Sequence, residues 1–137
     1  DAQESRGLGD VYKRQVMDCA KCIALMAVNA GDIWDYSLSS QVGKKTPEFD
    51  AIPIVAITTS AGTGSEVDIA AVISNDATKE KTSIFFPSMF PTISVVDPDL
   101  MMSVPPKFTA YQGMDAFFHA SRALSTKMSI LWRKCLR

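Results

Sequence analysis

Three scarcities limit what this chain can be. Only three of its 137 residues are cysteine, which is too few for a disulfide scaffold. The formal net charge at pH 7 is −1, so the chain lacks the basic surface typical of proteins that bind nucleic acid or an anionic membrane. No run approaches the roughly 18 consecutive apolar residues of a membrane span, and the N-terminus lacks a signal-peptide pattern. We therefore expect a cytoplasmic protein that catalyses a reaction or binds a small molecule, with no nucleic-acid or membrane partner.

What is present is the composition of about one globular domain, with 47% hydrophobic and 21% charged residues. Apolar residues recur every three or four positions over residues 16–29 and again from Phe108, which predicts two helices. Between them the pattern predicts a helical turn and four strands, at residues 33–36, 51–57, 69–74, 81–86 and 93–96. Because the first strand is almost continuously apolar, we expect cover on both of its faces. Residues 1–15 share neither periodicity and are predicted to be a disordered or foreign leader.

Cys19 and Cys22 have the Cys-x-x-Cys spacing of metal knuckles and redox motifs. A single such pair is a weak indication, and both residues lie inside the predicted first helix. We interpret them as two small side chains on that helix rather than as a site.

The most informative stretch is residues 51–66, where an apolar strand ends in Thr58-Thr-Ser-Ala-Gly-Thr-Gly-Ser-Glu66. Hydroxyl side chains supply hydrogen-bond donors there, and Gly62 and Gly64 let the backbone approach a ligand closely. A strand that leads into such a loop is suited to binding phosphate or ribose through main-chain N–H groups. The spacing matches neither Gly-x-Gly-x-x-Gly nor the Gly-x-x-x-x-Gly-Lys-Ser/Thr loop, so a plain connecting loop fits the spacing as well.

Asp115 and His119 form a second candidate site. They stand four positions apart on the second predicted helix, so both lie on one face, where a carboxylate and an imidazole can share a divalent metal. A metal site needs three or four protein ligands, and His119 is the only histidine in the chain. Taken alone, the pair fits a hydrogen-bonded Asp–His contact better than half of a metal site.

Together, several segments resemble the iron-containing (group III) alcohol dehydrogenases, particularly the butanol-dehydrogenase-like branch. The resemblance runs from about residue 16 to 127. It is carried by five motifs: Val16-Met-Asp-Cys-Ala-Lys21, Gly31-Asp-Ile-Trp-Asp35, Pro53 to Glu66 with its core Thr59-Ser-Ala-Gly-Thr-Gly-Ser-Glu66, Val95-Val-Asp-Pro-Asp-Leu100 and Val104-Pro-Pro-Lys-Phe-Thr-Ala-Tyr-Gln-Gly-Met-Asp-Ala-Phe-Phe-His119. The resemblance implies an α/β fold with dehydroquinate-synthase-like architecture. Residues 16–104 would be part of a Rossmann-like nucleotide-binding domain, and residues 105–137 the start of an all-helical metal-binding domain, atypical after residue 127.

The resemblance also implies roles for individual residues. The cofactor-binding positions would be Asp18, Thr59, Ser60, Gly62, Thr63, Asp68 and Lys81, around NADH or NADPH. Asp115 and His119 would be the first two of four ligands to Fe²⁺, or to Zn²⁺. No residue of the segment is assigned as a catalytic acid or base. The implied reaction is hydride transfer that interconverts a small alcohol and an aldehyde or ketone, in a homo-oligomeric enzyme.

Departures from the family pattern mark both ends of the resemblance. The family has a Gly-Gly-Gly-Ser turn where this chain has Lys13-Arg14-Gln15, and a glutamate where it has Arg122. The two further metal-binding histidines of the family have no counterpart here. We therefore expect the chain on its own to be an inactive fragment. The alternatives are a glycerol-dehydrogenase-like or dehydroquinate-synthase-like metalloenzyme, and a non-catalytic truncated product.

Overall fold

The computed structural model describes residues 8–38, 45–75 and 77–125, with side chains from residue 16 to residue 124 within those ranges. The described chain begins with helix α1 (Leu8–Met26) and ends with helix α2 (Pro106–Ser125). Four strands lie between them: β1 (Val55–Thr58), β2 (Ala70–Asn75), β3 (Glu80–Phe85) and β4 (Ile93–Val96). Short 3₁₀ turns at Ile33–Tyr36, Ser65–Val67, Pro87–Met89 and Pro98–Met101 connect these elements.

The strands form two separate pairs. β1 and β4 are parallel, with Val55 opposite Ile93 and Thr58 opposite Val96. The chain that joins them contains the antiparallel hairpin of β2 and β3. A parallel pair requires a long crossover connection, and here that connection carries the hairpin as well as the loop that follows β1.

The core lies between α1 and the hairpin. Its buried apolar members come from α1, the Ile33–Tyr36 turn, both hairpin strands and the segment after β3: Cys22, Leu25, Tyr36, Ala71, Ile84, Phe86 and Met89. The rings of Tyr36 and Phe86 meet edge to face at 6.3 Å, and the Tyr36 hydroxyl donates a hydrogen bond to the Ala30 carbonyl. Such edge-to-face contacts are a preferred geometry of aromatic pairs. They fix the turn after α1 against the hairpin.

The elements predicted from the sequence are present, with shifted ends. The turn at Ile33–Tyr36 and the strand Ile93–Val96 are confirmed at the predicted residues. The first predicted strand begins later, at Val55, because Pro53 has no backbone N–H to donate to a ladder. The other two strands differ from the prediction by one residue.

Of the two alternatives for the leader over residues 1–15, disordered or foreign, the disordered one is wrong for residues 8–15, where the structure shows the first two turns of α1. Lys13, Arg14 and Gln15 are good helix formers, and adding residues to an existing helix costs little once it is nucleated. The helix therefore extends upstream of residue 16, where Leu8, Val11 and Tyr12 also stand at helical spacing. Residues 1–7 lie outside the described residues.

The prediction that both faces of the first strand are covered is also wrong for the described residues. Ala56 and Thr58 are buried, but Val55 and Ile57 on the other face are 59% and 55% exposed. Their register partners Ile93 and Val95 are exposed on the same face. The reason is that α1 packs on β2 and on the Pro87–Met89 turn, so no described element lies over this face of β1 and β4.

Candidate functional site

The glycine–threonine loop, residues 59–64, follows the carboxyl end of β1. Its first turn is closed by Thr58, whose hydroxyl donates a hydrogen bond to the Ser60 carbonyl at 2.7 Å and accepts one from the Ser60 N–H. Gly62 and Gly64 have φ values of +101° and +65°, which side-chain-bearing residues adopt only with strain. The loop therefore has a defined backbone shape that depends on its two glycines.

The side chains of this loop divide into two groups. Thr59 is exposed, whereas Ser60 and Thr63 are buried. The Thr63 hydroxyl accepts a hydrogen bond from the N–H of Ser65. Ser65 is the first residue of the following 3₁₀ turn. Thr59 is thus free to meet a ligand through its side chain, while Ser60 and Thr63 stabilise the loop.

A buried charged network holds the far end of this loop against α1. The Lys21 side chain is 1% exposed, and its ammonium donates three hydrogen bonds, to the Asp68 carboxylate at 2.6 Å, the Ala70 carbonyl at 3.0 Å and the Ser65 hydroxyl at 3.3 Å. A buried ammonium is tolerated when every one of its N–H groups has a partner. The network therefore joins α1 to the segment between the loop and β2.

Asp18 belongs to the same network. One of its carboxylate oxygens accepts a hydrogen bond from the Ser65 hydroxyl at 3.0 Å, and the other accepts one from the Val72 N–H at 2.9 Å. The structure thus places Asp18 and Asp68, two of the predicted cofactor-binding residues, in contacts that order the loop. Their binding to a cofactor stays a prediction.

Lys21 was not predicted from the sequence to be part of the site. A signal for it existed, because Asp18, Lys21 and Leu25 follow one another at helical spacing and so place two charged residues on the buried stripe of α1. Lys81, by contrast, was predicted to lie near the cofactor and is exposed on β3, opposite Ser74. It belongs to the hairpin rather than to the glycine–threonine loop.

Helix α2 contacts the loop directly. The Ala61 N–H donates a hydrogen bond to Gln112 Oε1 at 3.3 Å. A Cβ atom added to Gly62 would lie only 2.6 Å from the Gln112 carbonyl oxygen, so glycine is required for this approach. Gln112 was not singled out in the sequence, since a polar residue on a helix is most often solvated and only the fold shows that this one is buried.

Asp115 and His119 lie on the same helix. Their Oδ1 and Nε2 atoms are 3.5 Å apart, and the two side chains are 32% and 47% exposed. This donor set, one carboxylate and one imidazole on an accessible surface, fits two ligands of a divalent metal. Within the described residues no cluster of three or more histidine, cysteine or acidic side chains could hold an ion.

The two described cysteines do not form a site in this structure. Cys19 is exposed, whereas Cys22 packs in the core, and burial raises the pKa of the Cys22 thiol from its usual value to about 12. Metal binding and redox chemistry require a thiolate. The interpretation of these residues as ordinary helix side chains agrees with this environment.

Neither described helix combines the length and the apolar character needed to cross a membrane.

Comparison with known proteins identifies the fold. The family model described as iron-containing alcohol dehydrogenase matches residues 15–98. The NAD-dependent methanol dehydrogenase of Bacillus methanolicus is 44% identical over 110 residues, which cover 80% of this chain and 28% of that protein.

Two solved structures resemble the chain closely. The NADH-dependent butanol dehydrogenase A of Thermotoga maritima is 38% identical, with a TM-score of 0.66 over 76% of this chain and 25% of that one. The sulfoacetaldehyde reductase of Bifidobacterium kashiwanohense, determined in complex with NAD⁺, is 40% identical, with a TM-score of 0.67 over 74% of this chain and 26% of that one.

The chain thus spans between a quarter and a third of the length of these relatives. The neighbours confirm the predicted α/β, Rossmann-like domain followed by a helix. The match of the family model over more than half of the chain, in the region that holds the glycine–threonine loop, shows that the chain belongs to the iron-containing alcohol dehydrogenase family.

Proposed function

We propose that this chain is part of a metal-dependent, nicotinamide-linked alcohol dehydrogenase that interconverts a small alcohol and an aldehyde or ketone. One observation carries the proposal: α2, the helix that bears Asp115 and His119, is hydrogen-bonded through Gln112 to the glycine–threonine loop. A candidate metal site and a candidate cofactor site are therefore built on contacting elements. The printed names of similar proteins, a methanol and a butanol dehydrogenase, are consistent with this reaction class.

The cofactor would bind at the glycine–threonine loop. Thr59 presents an exposed hydroxyl, and Gly62 and Gly64 shape a backbone with N–H groups suited to phosphate. Ser60 and Thr63 would act through the main chain, because their side chains are buried. Asp18, Asp68 and Lys81 complete the proposed set. We propose NAD(H) rather than NADP(H), since relatives of this chain are named as NAD-linked.

Asp115 and His119 would supply two ligands to Fe²⁺, with Zn²⁺ as the alternative. The remaining ligands would belong to the longer protein, because the described residues offer no third one. When bound, such a metal acts as a Lewis acid that polarises the oxygen of the alcohol or carbonyl substrate. The contribution of this chain would be two of the metal's ligands, Asp115 and His119, and the glycine–threonine loop that would hold the cofactor.

Cytoplasmic location and homo-oligomeric assembly are further parts of the proposal, which rest on the resemblance. The match to the iron-containing family favours this reaction over glycerol-dehydrogenase-like or dehydroquinate-synthase-like chemistry. For the 137-residue chain alone, the two-ligand site favours a non-catalytic product that retains partial binding sites.

The metal half of the proposal is tested by titrating the purified 137-residue chain with Co²⁺ and following paramagnetic broadening of NMR signals. We expect the broadening to be centred on His119. Asp115→Asn and His119→Ala should each weaken Co²⁺ binding at least tenfold. Asp50→Asn, which changes an exposed carboxylate on another segment, is the control. Equal broadening in the His119→Ala variant would contradict the proposed ligand role.

The cofactor half is tested by titration with NADH, followed by nicotinamide fluorescence. We expect millimolar rather than micromolar affinity, because the family's Gly-Gly-Gly-Ser turn is missing, and a several-fold loss in Thr59→Ala. Thr92→Ala is the matched control, since Thr92 precedes β4 and lies at the opposite end of the parallel strand pair from the loop. Absence of NADH binding by the parent chain would contradict the cofactor role of this segment.

A further inference from the structure

The Gln112 side chain can form up to four hydrogen bonds, and the described residues show one of them. It is 4% exposed, and its Oε1 atom accepts the hydrogen bond from the Ala61 N–H. An amide N–H can only donate, so the atom that faces Ala61 must be the oxygen, which fixes the orientation of the side-chain amide. The Nε2 donor is then buried without a hydrogen-bond partner among the described residues.

A buried donor without a partner is unusual in a folded protein and calls for a specific explanation. The position of this one is informative, because Gln112 contacts the loop at both Ala61 and Gly62. The loop backbone there has the positive-φ glycine conformation that suits an anion. An acceptor oxygen brought by a bound ligand would satisfy the Nε2 donor.

Gln112 also has a fixed relation to the proposed metal ligands. Gln112, Asp115 and His119 occupy positions i, i+3 and i+7 of α2, which share one face of a helix. A contact that fixes Gln112 on the loop therefore also fixes the rotation of α2, and with it the direction in which the Asp–His pair faces.

We propose that Gln112 is a positioning residue with two functions, which rest on the proposed cofactor role of the loop. Its Oε1 atom holds the glycine–threonine loop on α2, and its Nε2 donor binds a phosphate oxygen of the nicotinamide cofactor. The first function belongs to the free protein, and the second is completed by the ligand.

The first function is tested without a ligand, by amide hydrogen exchange of the 137-residue chain observed by NMR. Gln112→Glu keeps an oxygen for the Ala61 N–H, whereas Gln112→Met keeps the length of the side chain and removes the acceptor. We expect the Ala61 amide to exchange at the parent rate in Gln112→Glu and at least tenfold faster in Gln112→Met. The same rate in the parent and Gln112→Met would overturn this function. If Gln112→Met does not fold, Gly62→Ala, which pushes the loop away from the Gln112 carbonyl, is expected to show the same faster exchange, and an unchanged rate there overturns it equally.

The second function is tested with NADH as the probe, at 0.05 and 0.5 M NaCl. Gln112→Glu removes the donor, so we expect NADH to bind at least tenfold more weakly at both salt concentrations. Gln112→Met removes the donor without adding a charge, so we expect a comparable loss in that variant. A loss confined to Gln112→Glu would reflect charge repulsion, which salt screens only weakly at a buried site, and would overturn the donor function. Unchanged NADH affinity would overturn it too. If the parent chain binds no NADH, the proposed cofactor role and the donor function both fail, whereas the exchange rate of Ala61 still decides the first function.

Discussion

At the scale of single residues, the glycine–threonine loop depends on two glycines for different reasons. Gly64 needs only a positive φ of +65°, and nothing lies within 4 Å of a Cβ added there. Gly62 combines a φ of +101° with the close approach of the Gln112 backbone. Backbone atoms cannot move aside as the end of a side chain can, so the cost of a methyl group differs between the two positions.

We therefore expect Gly64→Ala to lower the free energy of unfolding by about 1 kcal/mol, the usual cost of the left-handed conformation. Gly62→Ala should cost at least about 2 kcal/mol, because steric overlap with α2 is added to the backbone strain. Urea unfolding followed by circular dichroism measures both. Equal losses of unfolding free energy in the two variants would show that the contact between Gly62 and α2 does not contribute to stability.

The sequence alone identified the loop but not what surrounds it. Its glycines and hydroxyls are a local pattern, and local patterns can be recognised in one dimension. Lys21 and Gln112 escaped prediction because their importance comes from residues 44 and 51 positions away in the chain, Ser65 and Ala61. Only the fold brings those partners together.

At the scale of secondary-structure elements, the network around Lys21 joins α1 to the segment before β2. Removing one partner of a buried ion pair leaves other charged groups without compensation. Here the cost is moderated because the Asp68 side chain is 43% exposed and water can solvate it.

We expect Lys21→Met, which fills a similar volume, to lower the free energy of unfolding by about 1–3 kcal/mol and to speed amide exchange in residues 65–70. Lys45→Met is the matched control, since Lys45 forms an ion pair of the same 2.6 Å length with Asp35 but at an exposed site. There the hydrogen bond from Lys45 lowers the pKa of Asp35, yet solvent and salt weaken the pair, and we expect stability close to that of the parent. An effect of Lys45→Met as large as that of Lys21→Met would contradict the importance of burial.

Strand ends were predicted well where the sequence carries a clear stop signal and less well where it does not. β4 was placed correctly because Asp97-Pro98 stops the strand. The upstream part of α1 was missed because Gly9 and Asp10 have low helix propensity and its apolar set, Leu8, Val11 and Tyr12, is short. The domain boundary predicted near residue 105 lies beside the start of α2 at Pro106. That a domain boundary exists there stays a prediction.

At the scale of the whole molecule, the outer face of the parallel pair is an exposed apolar surface, formed by Val55, Ile57, Ile93 and Val95. Contiguous apolar surface of this kind mediates association when it is left exposed. The continuous hydrophobicity of β1 correctly indicated a strand suited to burial on both sides. It could not indicate that the described residues supply a cover for only one side.

We expect the chain to self-associate and to bind the dye ANS through this face. The double variant Ile93→Thr, Val95→Thr keeps the β-branched shape that strands favour and replaces apolar with polar groups. ANS fluorescence should fall by about half or more, and sedimentation velocity should show smaller species. Met102→Gln, at a residue outside this face that is 80% exposed, is the control and should change neither measurement. Unchanged association in the double variant would place the contact surface elsewhere.

The pairing of β1 with β4 has a consequence for the order in which the molecule folds. The hairpin strands pair residues as close as five positions apart, Asn75 with Glu80, whereas Val55 and Ile93 are 38 positions apart. Contacts between distant residues carry the larger loop-closure entropy and form more slowly. The hairpin is therefore expected to form first, before α1 packs on it across 54 positions, Asp18 to Val72, and before β1 and β4 join. The glycine–threonine loop, which begins where β1 ends, would then be among the last parts of the protein to acquire its shape.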